Sequence, residues 1–411
     1  MTTFEAPRGT HDILPAEQPL WGLVIGEVER LCELFGYRRI QTPGFEDTAL
    51  FQRTSGAGSD IVQKEMYTFE DKGGRSLTLR PEATAPIARA YLEHGLHREG
   101  QPVKLFTIAT MYRYAAPQRG RYREHWQLSV EAIGSADPAI DAEVIQLYAE
   151  LLARLGVTDY ELLLNSIGDE NCRPAYVERL TKWLDEHDDV LDDDARQKRA
   201  TNPLRVFDVK SPKVLEALEE APKIGEALCD ECEAHFEAVR SHLGNYAISY
   251  TLSPTLVRGL DYYTRTTFEF VDEAIGAQSS IVGGGRYDGL IEELGGAPTP
   301  GVGFGAGIER LLLSVEAAGV TADQPGLDVF VALLETGHKA RVLPLVMELR
   351  RAGVSADVDY GGRSLKGQMT HAQRLGATTV VQWGPETSTI RRRGEQDQEV
   401  PTAELPERLR K

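Results

Sequence analysis

No stretch of this 411-residue chain approaches the roughly 18 consecutive apolar residues that a membrane helix requires. Its strongest apolar runs, 329–334 and 311–313, have the length of core segments, so no membrane-spanning helix and no membrane partner are expected. Cysteine is equally scarce, at four residues, which is too few for a disulfide framework and agrees with a reducing compartment. Cys229-x-x-Cys232 has the spacing of half a zinc site, but Cys32 and Cys172 stand alone, with no second such pair beside them in sequence. The pair therefore reads as two cysteines at a helix end, and no metal ligand is assigned. The N-terminus lacks both the basic region and the apolar region of a secretory signal, and Glu5 and Asp12 do not suit a transit peptide; a cytoplasmic protein is expected.

Positive charge is also in deficit: 63 acidic residues against 45 basic ones leave a net charge of −18, a balance that argues against a nucleic-acid partner. The deficit is uneven. Residues 326–411 carry 13 Lys and Arg against 11 Asp and Glu, a balance of +2, so residues 1–325 hold −20. Any polyanion must bind locally, through the C-terminal segment or through clusters such as Arg119, Arg121 and Arg123.

What is present, 41% hydrophobic and 26% charged residues, is ordinary for a globular chain of two or three domains. A boundary falls at 320–327, where Val-Thr-Ala-Asp-Gln-Pro-Gly breaks a helical run. Beyond it, strand (327–334), helix (338–352), strand (355–358), helix (365–375) and strand (378–383) alternate, predicting a small α/β domain over 326–411 with parallel pairing. Residues 169–245 are helical and acidic and read as an inserted module, because strand-rich sequence resumes at Tyr246. The flanking pieces, 1–168 and 246–325, form the core domain and are dominated by period-two alternation.

Within that core, residues 104–114 and 125–134 predict a hairpin with a long arginine-bearing loop. In its second strand Gln127, Ser129 and Glu131 share one face, which turns to water or to a ligand. Arg113 ends the first strand, Arg258 opens a strand predicted over 259–270, and Arg310 lies where Gly305-Ala-Gly-Ile-Glu-Arg310 feeds a helix, beside a natural phosphate site. Such fixed cations suit a triphosphate, since arginine offers a planar fork with no proton to lose.

Gly301-x-Gly303-x-x-Ala306 fits a relaxed dinucleotide fingerprint, but the Pro-rich 295–300 precedes it where a buried parallel strand is required. Gly283-Gly-Gly285 indicates close backbone approach or tight packing. Glu82, in Leu79-Arg-Pro-Glu-Ala-Thr84, stands at a predicted helix start and on this reading complements the helix dipole. Tyr262 and Tyr263 are expected on opposite faces of a strand, one in a pocket and one in the core.

Together these strings carry a resemblance. Pro7-Arg-Gly-Thr-His-Asp-Ile-Leu-Pro15, Tyr37-Arg-Arg-Ile-Gln-Thr-Pro43, the stretch from Thr110-Met-Tyr-Arg113 to Glu131, Leu256-Val-Arg-Gly-Leu-Asp-Tyr-Tyr263, Ile281-Val-Gly-Gly-Gly-Arg-Tyr-Asp-Gly-Leu290 and the glycine-rich 301–313 resemble, in order, the signatures of the histidyl-tRNA synthetases, class II aminoacyl-tRNA synthetases. The resemblance spans essentially the whole chain. It implies a multi-domain α/β fold: an antiparallel-sheet catalytic core of class II type with a helical insertion, and a C-terminal α/β anticodon-binding domain.

It also implies an activity, ATP-dependent ligation of L-histidine to tRNA(His) through histidyl-adenylate, with Mg²⁺, and a homodimer built around Pro43. By the resemblance, Arg113 contacts the ATP α-phosphate and the histidine carboxylate, Arg258 the α-phosphate from the opposite side, and Arg310 the far end of the triphosphate. Glu82, Thr84 and Gln127 receive the α-amino group, while Glu131 and Tyr263, with Tyr262 alongside, read the imidazole. This overrides the dipole reading of Glu82. An editing site is not expected, because a site of buried hydrogen bonds rejects substrates that leave them unpaired by roughly 10⁴–10⁵.

One departure stands out. Ala115-Ala116 replace an acidic residue that holds adenine and a basic residue that reaches toward the tRNA acceptor end in the family, leaving Gln118, Arg119 and Arg121 to take over. Arg363 and Lys366, in Gly361-Gly-Arg-Ser-Leu-Lys-Gly-Gln368, are the expected RNA-facing cations of the C-terminal domain. The alternative is the catalytically inactive regulatory subunit of ATP phosphoribosyltransferase, of the same lineage. It typically lacks the anticodon-binding domain and degrades the arginines, whereas this chain keeps all three and has 86 residues after Pro325.

Overall fold

The computed structural model describes residues 4–54, 56, 59, 61–276 and 279–410. The chain divides into two units, Met1–Thr321 and Ala322–Lys411. Among the described residues no helix is long and apolar enough to cross a membrane.

The first unit is organised by an eight-stranded sheet of β1 (Arg38–Arg39), β5 (Val103–Tyr112), β6 (Glu124–Ile133), β7 (Glu161–Ser166), β8 (Thr251–Leu252), β9 (Thr264–Val271), β10 (Ser280–Arg286) and β11 (Gly301–Gly307). Their order is β1-β5-β6-β11-β10-β9-β7-β8; the inner pairs are antiparallel and only the two edge pairs are parallel. A three-stranded antiparallel sheet, β2 (Phe45–Asp47), β4 (Ser76–Leu79) and β3 (Tyr67–Glu70), accompanies it.

Alternation along the strands gives each face of the large sheet its own core. Leu128 and Val130 of β6, Phe268 of β9 and Phe304 of β11 pack with helices Gln18–Leu34, Pro138–Arg154, Asp230–Asn245 and Ile308–Ala317. The helix Pro138–Arg154 starts where it does because the Asp137 carboxylate caps the Ala139 N–H at 2.9 Å and proline occupies its first turn. Residues 169–245, helical as expected, share the second core: Tyr176, Leu180, Leu184 and Phe207 cluster with Ile87, Tyr91, Leu105 and Tyr287.

Arg286, in the Gly-Gly-Gly-Arg-Tyr-Asp string, is fully buried and paired with the equally buried Asp141, with Asp288 at 3.1 Å and the Ser135 carbonyl at 3.0 Å completing its shell. Removing one member would strand the other's charge in the interior, a loss of about 3–5 kcal/mol. That arginine is a structural fastener of the sheet to the helix Pro138–Arg154.

The second unit has a five-stranded sheet ordered β13-β12-β14-β15-β16, from β12 (Val329–Leu333), β13 (Ala356–Val358), β14 (Thr379–Trp383), β15 (Thr387–Arg392) and β16 (Gln398–Pro401). Helices Lys339–Arg351 and Leu365–Arg374 make the crossovers between its parallel strands. Expected parallel pairing holds for β13, β12 and β14 only; β15 and β16 add an antiparallel edge that the alternation of strand and helix did not announce.

Candidate active site

A cleft of about 310 Å³ opens on the polar face of the large sheet, and its floor is made by glycine. In β11, Gly303 lies opposite Glu131, Gly305 opposite Ser129 and Gly307 opposite Gln127 of β6. A methyl group on Gly303 would fall 2.0 Å from Glu131 Oε2, and one on Gly305 would fall 2.8 Å from Gln127 Nε2. On β10, a methyl on Gly283 would stand 1.8 Å from Arg258 Nη2. The glycine-rich string is thus a central antiparallel strand stripped of side chains, so that neighbouring polar groups can lie across it. It is not a strand-to-helix turn around a dinucleotide.

Arg113, Arg121, Arg258 and Arg310 all line this cleft, with Glu82, Thr84, Gln127, Tyr262 and Tyr263. Arg113 is fixed by Nε donating to the Pro81 carbonyl at 2.7 Å. Arg310, in the first turn of the helix Ile308–Ala317, donates from Nε to Gly120 O at 3.0 Å and from Nη1 to Ser280 O at 2.6 Å. Burial, then the like charges of Arg121 and Arg113, bring Arg310 down to about 10, so it stays charged near neutrality. Arg258 pairs with Glu269; burial works to lower its pKa, but Glu269 outweighs it and holds the guanidinium above its usual range.

Two expectations need correction. Arg258 does not open a strand: it lies in the irregular segment before β9, which begins only at Thr264. For the same reason Tyr262 and Tyr263 are not on opposite faces. They occupy a turn, with ring centroids 4.8 Å apart, and both face the cleft. Alternation assigns faces only where the backbone is extended.

Glu82 sits both at a helix start and on the cleft wall. Its carboxylate accepts from the Thr84 N–H at 2.6 Å and the Ala85 N–H at 3.0 Å, capping the helix Thr84–Glu93, while it lines the cleft. Burial raises its pKa against those two hydrogen bonds and Arg113.

Glu131 is different. It is completely buried and does not line the cleft; it accepts from the Thr84 hydroxyl at 2.7 Å and from the Tyr287 hydroxyl. Burial lifts it to about 8, against the pull of those hydroxyls, so it is mostly protonated at neutral pH. Gln118 and Arg119 lie on the exposed turn of the hairpin and do not line the cleft, whereas Arg121 does, bridged to Glu65 at 2.9 Å. In the C-terminal unit Arg363 and Lys366 are exposed; Arg363 is tied to Asp359 at 2.6 Å, and Lys366 lies in the first turn of a helix capped by Ser364.

Sequence reasoning missed several lining groups. His125, next to the floor, is driven down to about 3 by burial and by Arg113 and Arg310, so its imidazole is neutral. Glu309 is lifted to about 7 by burial although Trp126 N–H donates to both its oxygens, at 2.9 and 3.1 Å. Arg205 and Asp208 reach the cleft from the helical stretch. The acid-base signals lie in burial, which the sequence states only through the strand pairing.

A further correction concerns cysteine. Cys172 is not alone: the fold sets it against Cys229, Cys232 and Asp169, with one ligand atom of each within 4.8 Å of the others.

Known proteins match this arrangement. The family model for histidyl-tRNA synthetase matches residues 9–311, and that for an anticodon binding domain matches residues 328–411. The histidine–tRNA ligase of Moorella thermoacetica is 48% identical over 412 residues, covering 98% of this chain and 97% of its own. That of Saccharopolyspora erythraea is 49% identical over 385 residues, covering 93% and 91%. Apo S. aureus histidyl-tRNA synthetase superimposes with a TM-score of 0.84 at 35% identity, covering the whole of both chains. With an arginine-lined cleft on a mainly antiparallel sheet and a C-terminal α/β unit, the chain belongs to the histidyl-tRNA synthetase family, the ATP-dependent ligases that join histidine to its tRNA.

Proposed function

We propose that the cleft makes histidyl-adenylate, and that the convergence of Arg113, Arg258 and Arg310 on a glycine floor is the observation that carries this assignment. The histidine carboxylate attacks the α-phosphorus of ATP, the P–O bond to the β-phosphate breaks, and pyrophosphate leaves. Nothing in this step requires a covalent enzyme nucleophile; positioning and fixed charge suffice. Arg113 and Arg258 flank the α-phosphate and the carboxylate, and Arg310 holds the distal phosphates. Glu82, Thr84 and Gln127 take the α-ammonium group, while Tyr263, Tyr262 and, behind the lining, Glu131 define the imidazole end.

Glu65 and Glu309 are the cleft carboxylates whose hard oxygens suit Mg²⁺. Glu309, poised at about 7, gives up its proton readily to a cation, and the metal, when bound, neutralises charge on the departing phosphates. In the second step the terminal ribose hydroxyl of tRNA(His) takes the histidyl group. The 322–411 unit reads the anticodon, with Arg363 and Lys366 toward the RNA, and Arg121 is the hairpin cation placed to reach both cleft and acceptor end.

The chain works as a cytoplasmic homodimer. Phe45 and Phe69 stack edge to face on the small sheet while 50% and 42% exposed, near the exposed Pro43, an apolar surface that a partner subunit would cover. The regulatory-subunit alternative is not favoured, because ligases about 48% identical match nearly the full chain and the anticodon-binding unit is present.

Histidine-dependent exchange of pyrophosphate into ATP tests the assignment. Exchange that requires histidine and no tRNA is expected; binding of histidine and ATP without exchange would reject it.

A further inference from the structure

We propose that Asp169, Cys172, Cys229 and Cys232 form a structural zinc site, one per chain. Cys172 Sγ lies 3.9 Å from Cys232 Sγ and 3.5 Å from Asp169 Oδ1, and Cys229 Sγ lies 3.9 Å from the same oxygen. A tetrahedral zinc with bonds of about 2.3 Å to sulfur and about 2.0 Å to oxygen has edges of about 3.8 Å between sulfurs and about 3.5 Å between sulfur and oxygen. Those three edges of the six already match, and no two ligand atoms are more than 4.8 Å apart. Three thiolates and one carboxylate form a soft set that selects zinc over magnesium or calcium.

The backbone is shaped for it. Asp169 and Cys172 lie in the turn that leaves β7, and Cys172 precedes the helix Arg173–Glu186; Cys229 immediately precedes the helix Asp230–Asn245 and Cys232 lies in its first turn. All three thiols therefore lie at the N-terminal ends of helices. Gly168, at φ +64°, leaves the space: a methyl there would fall 2.6 Å from Cys172 Sγ. Cys172, Cys232 and Asp169 are buried and Cys229 half-buried, which shelters the site while leaving a way in.

An outer shell is in place as well. Arg265 donates to the second oxygen of Asp169 at 3.3 Å, orienting the carboxylate and offsetting the excess negative charge of three thiolates and a carboxylate around a dication. Arg173 donates to the Gly168 carbonyl at 2.9 Å and to the Tyr263 carbonyl at 2.7 Å, so a metal here would also stiffen the wall that carries Tyr263. A disulfide is the competing fate of Cys172 and Cys232, but 3.9 Å is nearly twice the bond length of about 2.05 Å.

The test is elemental analysis of the full-length chain purified without chelator from zinc-supplemented cells. About one zinc per chain is expected, falling below about one-tenth in Cys229→Ser and in Cys232→Ser and unchanged in Cys32→Ser, a buried cysteine outside the cluster. Replacement by Co²⁺ should give the near-ultraviolet sulfur-to-metal band and strong visible bands of a tetrahedral thiolate site. If Cys232→Ser does not fold, the metal content of the unaltered protein and of Cys229→Ser decides. Metal-free protein whose thiols all react alike with and without added zinc, or a Cys172–Cys232 disulfide in the unreduced protein, would overturn the proposal.

Discussion

Gly283→Ala separates catalysis from stability. The added methyl would lie 1.8 Å from Arg258 Nη2 and 2.1 Å from its Cζ, whereas ordinary contact begins near 3.4 Å, so the guanidinium tip must retreat by about 1.6 Å. What it meets is the end of a flexible side chain, and Gly283 has no left-handed backbone angle to lose, so folding should be little affected. Displacing a preorganised charge by more than an ångström removes most of its effect on the reacting centre, which sets the expected loss in pyrophosphate exchange at about 10²–10³. Gly284→Ala is the contrasting control. Its methyl would meet the Gly303 carbonyl oxygen at 2.3 Å, a backbone atom that cannot yield, so unfolding should be the main result. Arg258→Ala should lose the same 10²–10³ or so, and the double variant should be no worse than Arg258→Ala alone, because both changes remove one interaction. Exchange within a factor of about two of the parent in Gly283→Ala, with an unshifted melting temperature, would refute the reasoning, as would losses that multiply in the double variant.

Glu131→Gln should flatten the pH dependence of stability. Between its ordinary 4.5 and the folded value of about 8 the unfolded chain has released a proton that the folded chain keeps, so stability falls as pH rises through that window; urea midpoints from pH 5 to 8.5 that run parallel in parent and variant would count against it. A stable monomer of 45.4 kDa in light scattering at micromolar concentration would reject the dimer. Truncation after Thr321 should leave a protein that forms histidyl-adenylate, because every cleft residue precedes that point, but that charges tRNA poorly and with a weaker salt dependence; aminoacylation at the full-length apparent affinity would show that the C-terminal unit does not bind the RNA.

Local pattern made the sheet legible. The hairpin expected over 104–114 and 125–134 is β5 and β6 within two residues, and Gln127, Ser129 and Glu131 do share a face. That face was marked by polarity alone; its burial was not, since Glu131 is covered by Thr84 and Tyr287, which are distant in sequence. Tyr262, Tyr263 and Arg258 misled because a turn held by tertiary hydrogen bonds and packed rings looks, in one dimension, like the start of a strand. Cys172 was read as isolated because 56 residues lie between it and Cys229, and only the return of the turn Ile224–Glu226 beside β7 closes that distance. The antiparallel pair β15 and β16 escaped because its residues are mostly polar and its apolar positions, Ile390 and Val400, are too few to set a period.

The charge balance shows how a chain of net −18 can hold a triphosphate. Acidic and basic groups both enter the cleft, and burial pushes each toward neutrality, but they start at unequal distances from pH 7. A carboxyl beginning at 4.5 reaches neutrality after a modest push, as Glu309 does at about 7 in the cleft and Glu131 at about 8 behind its lining. An arginine beginning at 12.5 does not; Arg310, half-buried and beside three like charges, is still at about 10. The same desolvation that brings Glu309 to neutrality therefore leaves Arg310 charged, and it strips away water that would screen it. His125, which starts closest to neutrality from the basic side, is neutralised outright and adds no competing cation. The local field is positive because of where each group's ordinary pKa lies, and the acidic exterior contributes little to it across the intervening protein and salt.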